Sequence, residues 1–483
     1  MSLARRTGLG LLWAFGSYAG QRLLGLVTTV ALARLLLPAD VGIIAFTLLV
    51  AGLLDTSRDL GVKDALIYLT PPVDEAADTA FVMHTVLGLA QGVALFLLAP
   101  VIASATSDPR TADVLRLLAL TFPMNGLAAT HDALLVRALE FRRCYSVDLA
   151  AALARMIVIV ALALSGASIW SMVAGQLVGS GIRLAGRWLL LAWRPRLRFV
   201  MAEARRLLRY SVHILAVRLI DMLVERADQL LIAFLLGEVQ LAFYYVAARI
   251  PELVVTSFNR VLTQVLFPAF ASIKDDRRRL LAAYGETTRY TAYAVFPAGL
   301  GLAVVAPEAV PLLFGDQWRA SVPLVQVLAL VAIAASLPWS AGDLFKAIGR
   351  PDLSTKLALL ESAYSFPLIL IFGFATRQAL WIAAAVLLSL CLTAIVRLWV
   401  VRRLIQLPSR FYLEMFWPPA AAGIAMAVGV EVLRQATSQL PTSATLAASV
   451  LAGAAIYGLV LFLLVPGDLR RLWDSRRLLR REA

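Results

Sequence analysis

The chain has 483 residues, 60% of them hydrophobic and 16% charged, with a mean hydropathy of +0.80. Soluble domains run nearer ~45–50% apolar and ~25% charged, so a set of water-soluble cores is excluded. The net charge is +14 and there are 2 cysteines, Cys144 and Cys391, far apart and in apolar contexts. That count excludes a disulfide framework and a cysteine-based metal site.

The apolar residues fall into blocks of roughly 20–28, enough to cross ~30 Å of hydrocarbon at ~1.5 Å per helical residue. Fourteen spans are expected, at 9–34, 40–62, 77–103, 112–136, 144–165, 168–192, 206–236, 239–269, 280–305, 320–346, 355–375, 378–402, 412–435 and 443–465. The opening Met1-Ser2-Leu3-Ala4-Arg5-Arg6 resembles the start of a signal peptide. Its apolar run continues to Ala33 without a small-residue cleavage site, so it is read as an uncleaved first helix. Leu37-Pro38-Ala39-Asp40 joins spans one and two, with Asp40 expected as the N-cap of the second. Asp108-Pro109-Arg110, Phe314-Gly315-Asp316, Gly349-Arg350-Pro351-Asp352 and Leu407-Pro408-Ser409 are comparable turn signals.

Lys and Arg distribute unevenly over these loops. With the N-terminus in the cytoplasm, alternate loops on the inside carry about 30 basic residues and those outside about 6. The inside set includes eight arginines from Arg183 to Arg209 and six in the tail after Pro466. This bias explains the positive charge without nucleic acid and puts both termini inside. Lys63, Lys274, Lys346 and Lys356 are the four lysines, and none follows a glycine, which excludes a Walker A nucleotide loop.

The joint Leu35–Gly42 has an echo about 200 residues later at Leu235-Leu236-Gly237-Glu238-Val239-Gln240-Leu241-Ala242. A parallel repeat follows from it. The expected organisation is an N-terminal lobe at 1–193, a basic cytoplasmic linker at 194–205 and a C-terminal lobe at 206–403. Two extra helices at 404–466 and a basic tail at 467–483 complete it. The fold class is therefore all-α: a polytopic integral membrane protein of about 14 helices, in two pseudo-symmetric six-helix lobes plus two C-terminal helices.

Ionised groups inside a bilayer cost at least ~2.5–3.5 kcal/mol each, so they face partners or a wet cavity. Span one carries Gln21-Arg22, and span two Asp55, Arg58 and Asp59. Span seven carries Arg218, Asp221, Glu225 and Asp228 in one helical stripe. Span eight carries Arg249, Glu252, Thr256, Arg260 and Thr263 in another. Spans four, five and eleven add His131-Asp132, Asp148 with Arg155, and Glu361. Local ion pairs such as Arg218–Asp221, Arg58–Asp55 and Arg249–Glu252 are one explanation. A central cationic cavity between the halves, lined by Arg22, Arg58, Arg218, Arg249 and Arg260, is the other. Asp55, Asp148, Asp221, Glu225, Glu252 and Glu361 are then charge-balancing or ion-coupling candidates. A lining of arginines prefers an anionic cargo, because the guanidinium fork matches phosphate or carboxylate oxygens. His84, His131 and His213 lack ligand spacing and are read as structural or water-facing, and Gly175-x-x-x-Gly179 marks close helix packing. No residue is assigned a catalytic, cofactor or metal role.

The pattern Ala33-Arg34-Leu35-Leu36-Leu37-Pro38-Ala39-Asp40-Val41-Gly42, with Asp59-Leu60-Gly61-Val62 after it, resembles the Wzx-type polysaccharide flippases. These belong to the multidrug/oligosaccharidyl-lipid/polysaccharide exporter superfamily, and the likeness is to its colanic-acid and teichuronic-acid branch. The resemblance implies translocation of undecaprenyl-diphosphate-linked oligosaccharide across the bacterial inner membrane by alternating access. The product would serve exopolysaccharide, O-antigen or capsule synthesis. Membrane lipids and the lipid-linked oligosaccharide are the implied partners, with a polysaccharide polymerase or co-polymerase as a candidate. A lipid II or multidrug exporter of the same fold is the competing transporter reading. A membrane-bound polymerase or ligase is disfavoured by the absence of a long extramembrane loop.

Overall fold

The structure, a computed structural model, describes residues 3–57, 61–68, 73–256, 259, 266, 270–408, 410–437 and 439–466. Within the helices, the side chains of 3–12, 14, 15, 68, 210–221 and 223 lie outside that description. Among the described residues every regular element is a helix. Among the described residues, nine helices are long and apolar enough to cross a membrane, from Pro38–Thr56 to Thr442–Leu464. Large apolar side chains stand bare on their outer faces, Leu97 at 67% exposure and Leu451 at 73% among them. Water would penalise such faces, whereas lipid would not.

Two compact units divide the chain, Met1–Val246 and Ala247–Ala483. The first contains α1 (Leu3–Leu35), α2 (Pro38–Thr56), α3 (Val62–Tyr68), α4 (Asp74–Ala103), α5 (Arg110–Ala119), α6 (Thr121–Arg137), α7 (Phe141–Leu164), α8 (Ile169–Leu190) and α9 (Met201–Leu236). Helix α7 packs on α8 and α1, and α6 on α4 and α8. Glycines set the spacing. A Cβ on Gly126 would lie 2.5 Å from the His84 carbonyl oxygen, and one on Gly88 would lie 2.7 Å from that of Phe122. Gly175 would meet the Ile159 side chain and Gly179 the Arg155 Cβ, as the small-residue spacing in span six predicts.

The expected fourth span is two helices, broken at Leu120. Pro123 accounts for the break: it has no N–H to give Ala119, four residues back, and its ring crowds that carbonyl. Asp40 is not an N-cap as the sequence suggests. Helix α2 starts on Pro38, whose fixed φ suits the first helical position, so Asp40 falls inside the first turn and is free to bind elsewhere. Gly237, at φ +83°, lets α10 (Glu238–Pro251) follow α9 after a single residue. The two joints that echo each other in sequence also touch, because Gly42 abuts the backbone carbonyl of Glu238.

In the second unit a π-helical turn, Glu252–Thr256, extends α10. There follow α11 (Arg277–Phe314), α12 (Val322–Ser336), α13 (Trp339–Ala347), α14 (Pro351–Thr376), α15 (Ala379–Ile405), α16 (Phe411–Ala436) and α17 (Thr442–Leu464). Helix α11 is the packing hub, meeting α12, α16 and α17. Tyr284, Phe345 and Val401 belong to a buried cluster beside it. Arg434 of α16 reaches Glu308 of α11 at 2.9 Å and Glu431 at 2.5 Å, tying those two helices at one end.

Candidate functional site

The polar side chains of the first unit converge on the faces that α2, α6, α7 and α8 turn toward one another. On α7, Asp148, Ala152 and Arg155 share a stripe; on α8, Gln176, Ser180, Arg183 and Arg187 do the same. Between these stripes lie two small cavities. One of about 230 Å³ is lined by Asp55, Asn125, Arg155, Gln176 and Arg183. The other, about 190 Å³, is lined by Gln21, Asn125, Asp132, Asp148, Arg183 and Arg187. Asn125 and Arg183 border both.

The arginines in this region are not equivalent. Arg187 is 1% exposed. Its Nη2 lies 2.9 Å from Asp132 Oδ1 and 2.9 Å from Asp148 Oδ1, while Nη1 donates to the Cys144 carbonyl at 2.6 Å. Lys63 of α3 pairs with Asp132 from another side. Arg183 shares Asp148 at 3.3 Å. Cys144 Sγ sits 3.2 Å from Asp132 Oδ1, so this cysteine contacts the ionic cluster and is more than an apolar filler. Arg155 differs from the rest. Its Nη1 donates to Gln176 Oε1 at 3.4 Å, and among the described residues no carboxylate lies within ion-pair distance of it.

The expected residues are placed as follows. Arg22 is half-buried with its guanidinium over the Tyr18 ring at 5.3 Å. Asp55 lines the larger cavity and Asp148 the smaller. Arg249 and Glu252 pair within their own helix at 3.2 Å, as the local-neutralisation reading foresaw. Glu361 pairs with Arg397 of the neighbouring helix at 3.0 Å. Glu225 is exposed. Arg58 and Arg260 lie outside the described residues, as do the side chains of Arg218, Asp221 and His213. His84 contacts the Thr130 hydroxyl at 2.8 Å, and His131 stacks on Trp188 at 4.6 Å, both structural roles. Cys391, in an apolar stretch of sequence, is exposed on α15. Arg183 and Arg187 correct the loop count, since both belong to α8 and one is buried. The signal that would have found them is the polar stripe from Gln176 to Arg187.

At the helix ends that bear the joint at residues 36–37, a polar clasp gathers four segments. Arg110 binds Asp108 at 2.6 Å and Asp40 at 2.8 Å. Ser168 donates to Asp40 at 2.7 Å, and the Ser107 amide reaches Glu238 at 3.5 Å. The Arg110 guanidinium holds the Asp108 carboxyl below the usual carboxylate range.

Known proteins resemble this chain in sequence and in fold. The lipopolysaccharide biosynthesis protein WzxC of Escherichia coli strain K12 is 30% identical over 375 residues, 77% of this chain and 76% of its own. The succinoglycan biosynthesis transport protein ExoT of Rhizobium meliloti strain 1021 is 27% identical over 96% of this chain and 94% of its own. The teichuronic acid biosynthesis protein TuaB of Bacillus subtilis strain 168 is 25% identical over 84% of each chain. Among solved structures, the lipid II flippase MurJ in an inward closed conformation superposes with a TM-score of 0.80 at 14% identity, covering 95% of this chain and 99% of that one. An inward-facing multidrug resistance MATE transporter of the MOP superfamily gives 0.61 at 16% identity, over 80% of this chain and 94% of that one. These structural likenesses establish the fold: an all-α, multi-pass membrane protein. The resemblance to Wzx-type flippases drawn from residues 33–62 therefore holds along most of the chain. Residues 31–323 match the family described as polysaccharide biosynthesis protein, which is more than half of the chain, and this protein belongs to that family.

Proposed function

We propose that the chain flips lipid-diphosphate-linked oligosaccharide repeat units across the bacterial inner membrane, for assembly of a surface polysaccharide. It does so by alternating access and without covalent chemistry. The observation that carries this reading is Arg155, a guanidinium on the wall of a polar cavity whose hydrogen bond goes to the Gln176 amide and which forms no ion pair with a carboxylate among the described residues. A cation held half-buried without a carboxylate is costly unless an anion visits it. Phosphate oxygens suit the guanidinium fork better than any other common anion apart from carboxylate. The sugar-polymer biosynthesis named for the relatives supplies the class of cargo. In this reading Arg22, Arg58, Arg218, Arg249 and Arg260 extend the cationic lining, and Asp55, Asp148, Asp221, Glu225, Glu252 and Glu361 balance charge or couple ion movement. The pseudo-symmetric lobes at 1–193 and 206–403, the linker at 194–205 and cytoplasmic termini belong to the same proposal.

The test is flipping of a fluorescent undecaprenyl-diphosphate oligosaccharide in proteoliposomes, with lipid II as a second cargo. Wild-type protein moves the oligosaccharide. Arg155→Gln loses about tenfold or more, the scale of one charge-assisted hydrogen bond of ~1.5–3 kcal/mol, while Arg155→Lys retains part of the rate. Wild-type transport by the folded Arg155→Gln protein would remove the basis of this reading. Movement of lipid II in preference to the oligosaccharide would reassign the cargo.

A further inference from the structure

Loop 191–200 and the first turns of α9 border an open groove of about 540 Å³ that shares no lining residue with the two polar cavities. Its size lies within the ~300–1,000 Å³ typical of small-ligand sites. Met83, Phe199, Met201 and Leu208 give it an apolar wall, and Arg205 and Arg209 line it too. The two arginines are four residues apart, so they sit one above the other on a single face of α9. Both are exposed.

Three nearby arginines have partners. Arg198 binds Glu75 at 2.7 Å and Arg206 binds Glu203 at 3.7 Å. Arg194 lies over the Trp188 ring and donates to the Leu191 carbonyl at 2.7 Å. Arg205 and Arg209 have no carboxylate partner among the described residues. The loop beside them is held to α4 by backbone donors, Arg196 N–H to Asp78 at 3.0 Å and Val200 N–H to Thr79 at 3.2 Å. It leaves apolar side chains uncovered, Leu197 at 85% exposure and Met201 at 61%. Trp188 and Trp193 lie at the same end of the unit, where aromatic side chains mark a membrane–water boundary.

An apolar groove at that depth, next to two cations without counter-charges, matches an amphiphile with a negatively charged head. We propose that this groove binds an anionic phospholipid of the adjoining leaflet. Its headgroup phosphate lies between Arg205 and Arg209, and an acyl chain runs along Met83, Phe199 and Leu208. Such a lipid would fix the connection between α8 and α9 against α4 through charge neutralisation and added apolar contact.

Delipidated full-length protein in detergent, titrated with phosphatidylglycerol or phosphatidylcholine of equal chain length and read by native mass spectrometry, tests the site without any transport assay. Wild type should prefer phosphatidylglycerol. Arg205→Gln/Arg209→Gln should weaken that binding by about twenty-fivefold, the product of roughly fivefold per surface arginine. Arg278→Gln/Arg410→Gln, which removes two exposed arginines elsewhere, should not. Leu208→Ser should weaken the long-chain lipid and leave a dihexanoyl analogue unaffected. Equal affinity for the two headgroups, or the same loss in the control pair, would overturn the proposal. So would displacement of phosphatidylglycerol by undecaprenyl phosphate at equal concentration in wild type alone, which would assign the groove to cargo.

Discussion

Arg187 has almost no exposed surface, yet it carries a full charge between Asp132 and Asp148 at 2.9 Å from each. Removing it leaves two carboxylates facing one another, with Lys63 and Arg183 as the cations paired with them among the described residues. Breaking a buried pair of this kind costs ~3–5 kcal/mol, more than the pair itself contributes, because the orphaned charge stays desolvated. Arg187→Gln is therefore expected to lower the thermal unfolding midpoint in detergent and the yield of monodisperse protein. Arg187→Met/Asp148→Asn should recover part of both. An unchanged midpoint in Arg187→Gln would mean that Asp132 and Asp148 are stabilised without it. Arg155, with no such partners, should tolerate substitution as far as folding is concerned. Sequence counting cannot separate these two arginines. A basic residue in the last turns of a span scores as loop charge whether it snorkels outward or points at a neighbouring helix. That is why Arg183 and Arg187 read as cytoplasmic charge, and only the contact between α7 and α8 reveals their direction.

Between helices, the determinant is backbone proximity. Without a hydrophobic force between apolar surfaces in lipid, association depends on close packing of small residues. At the α4–α6 crossing, Gly88 and Gly126 face each other and their would-be Cβ atoms point into carbonyl oxygens. Backbone cannot rotate away as a side-chain tip can. Gly126→Ala should thus cost ~1–3 kcal/mol through overpacking. Gly458→Ala, with nothing within 4 Å of the added carbon, should be neutral or slightly stabilising. Both changes alter intrinsic helix propensity by the same ~1 kcal/mol, so the difference between their unfolding midpoints isolates the packing. Equal midpoints would show that α4 and α6 can move apart at no cost. The sequence announces Gly175 and Gly179 through their four-residue spacing. Gly88 and Gly126 lie on different helices, and no local pattern pairs them.

At the scale of the molecule, the spans are legible because hydropathy sums over some twenty residues and single polar positions barely alter the total. Each expected span coincides at least in part with a described helix, including α8, which is 22 residues long but too polar along one face for hydropathy alone to select it. The Pro123 break escapes such a sum, since one missing hydrogen bond leaves the apolar content unchanged. Orientation rests on a different quantity, the loop-by-loop bias in Lys and Arg, and it makes a prediction about the whole chain at once. Cys144 is buried and Cys391 faces outward from α15, in a stretch where lipid would cover it. Neither should react with a membrane-impermeant maleimide in intact cells, so single cysteines can be added to the natural chain. Ser107→Cys, in the loop before α5, should label without permeabilisation. Asp275→Cys, just before α11 and beside Arg277, Arg278 and Arg279, should label only once the inner membrane is opened. The reverse pattern would invert the protein and place most of its arginine loops outside, against the retention of positive charge in the cytoplasm. Labelling of both positions in intact cells would instead remove one membrane crossing between them and change the parity on which the cytoplasmic placement of both termini depends.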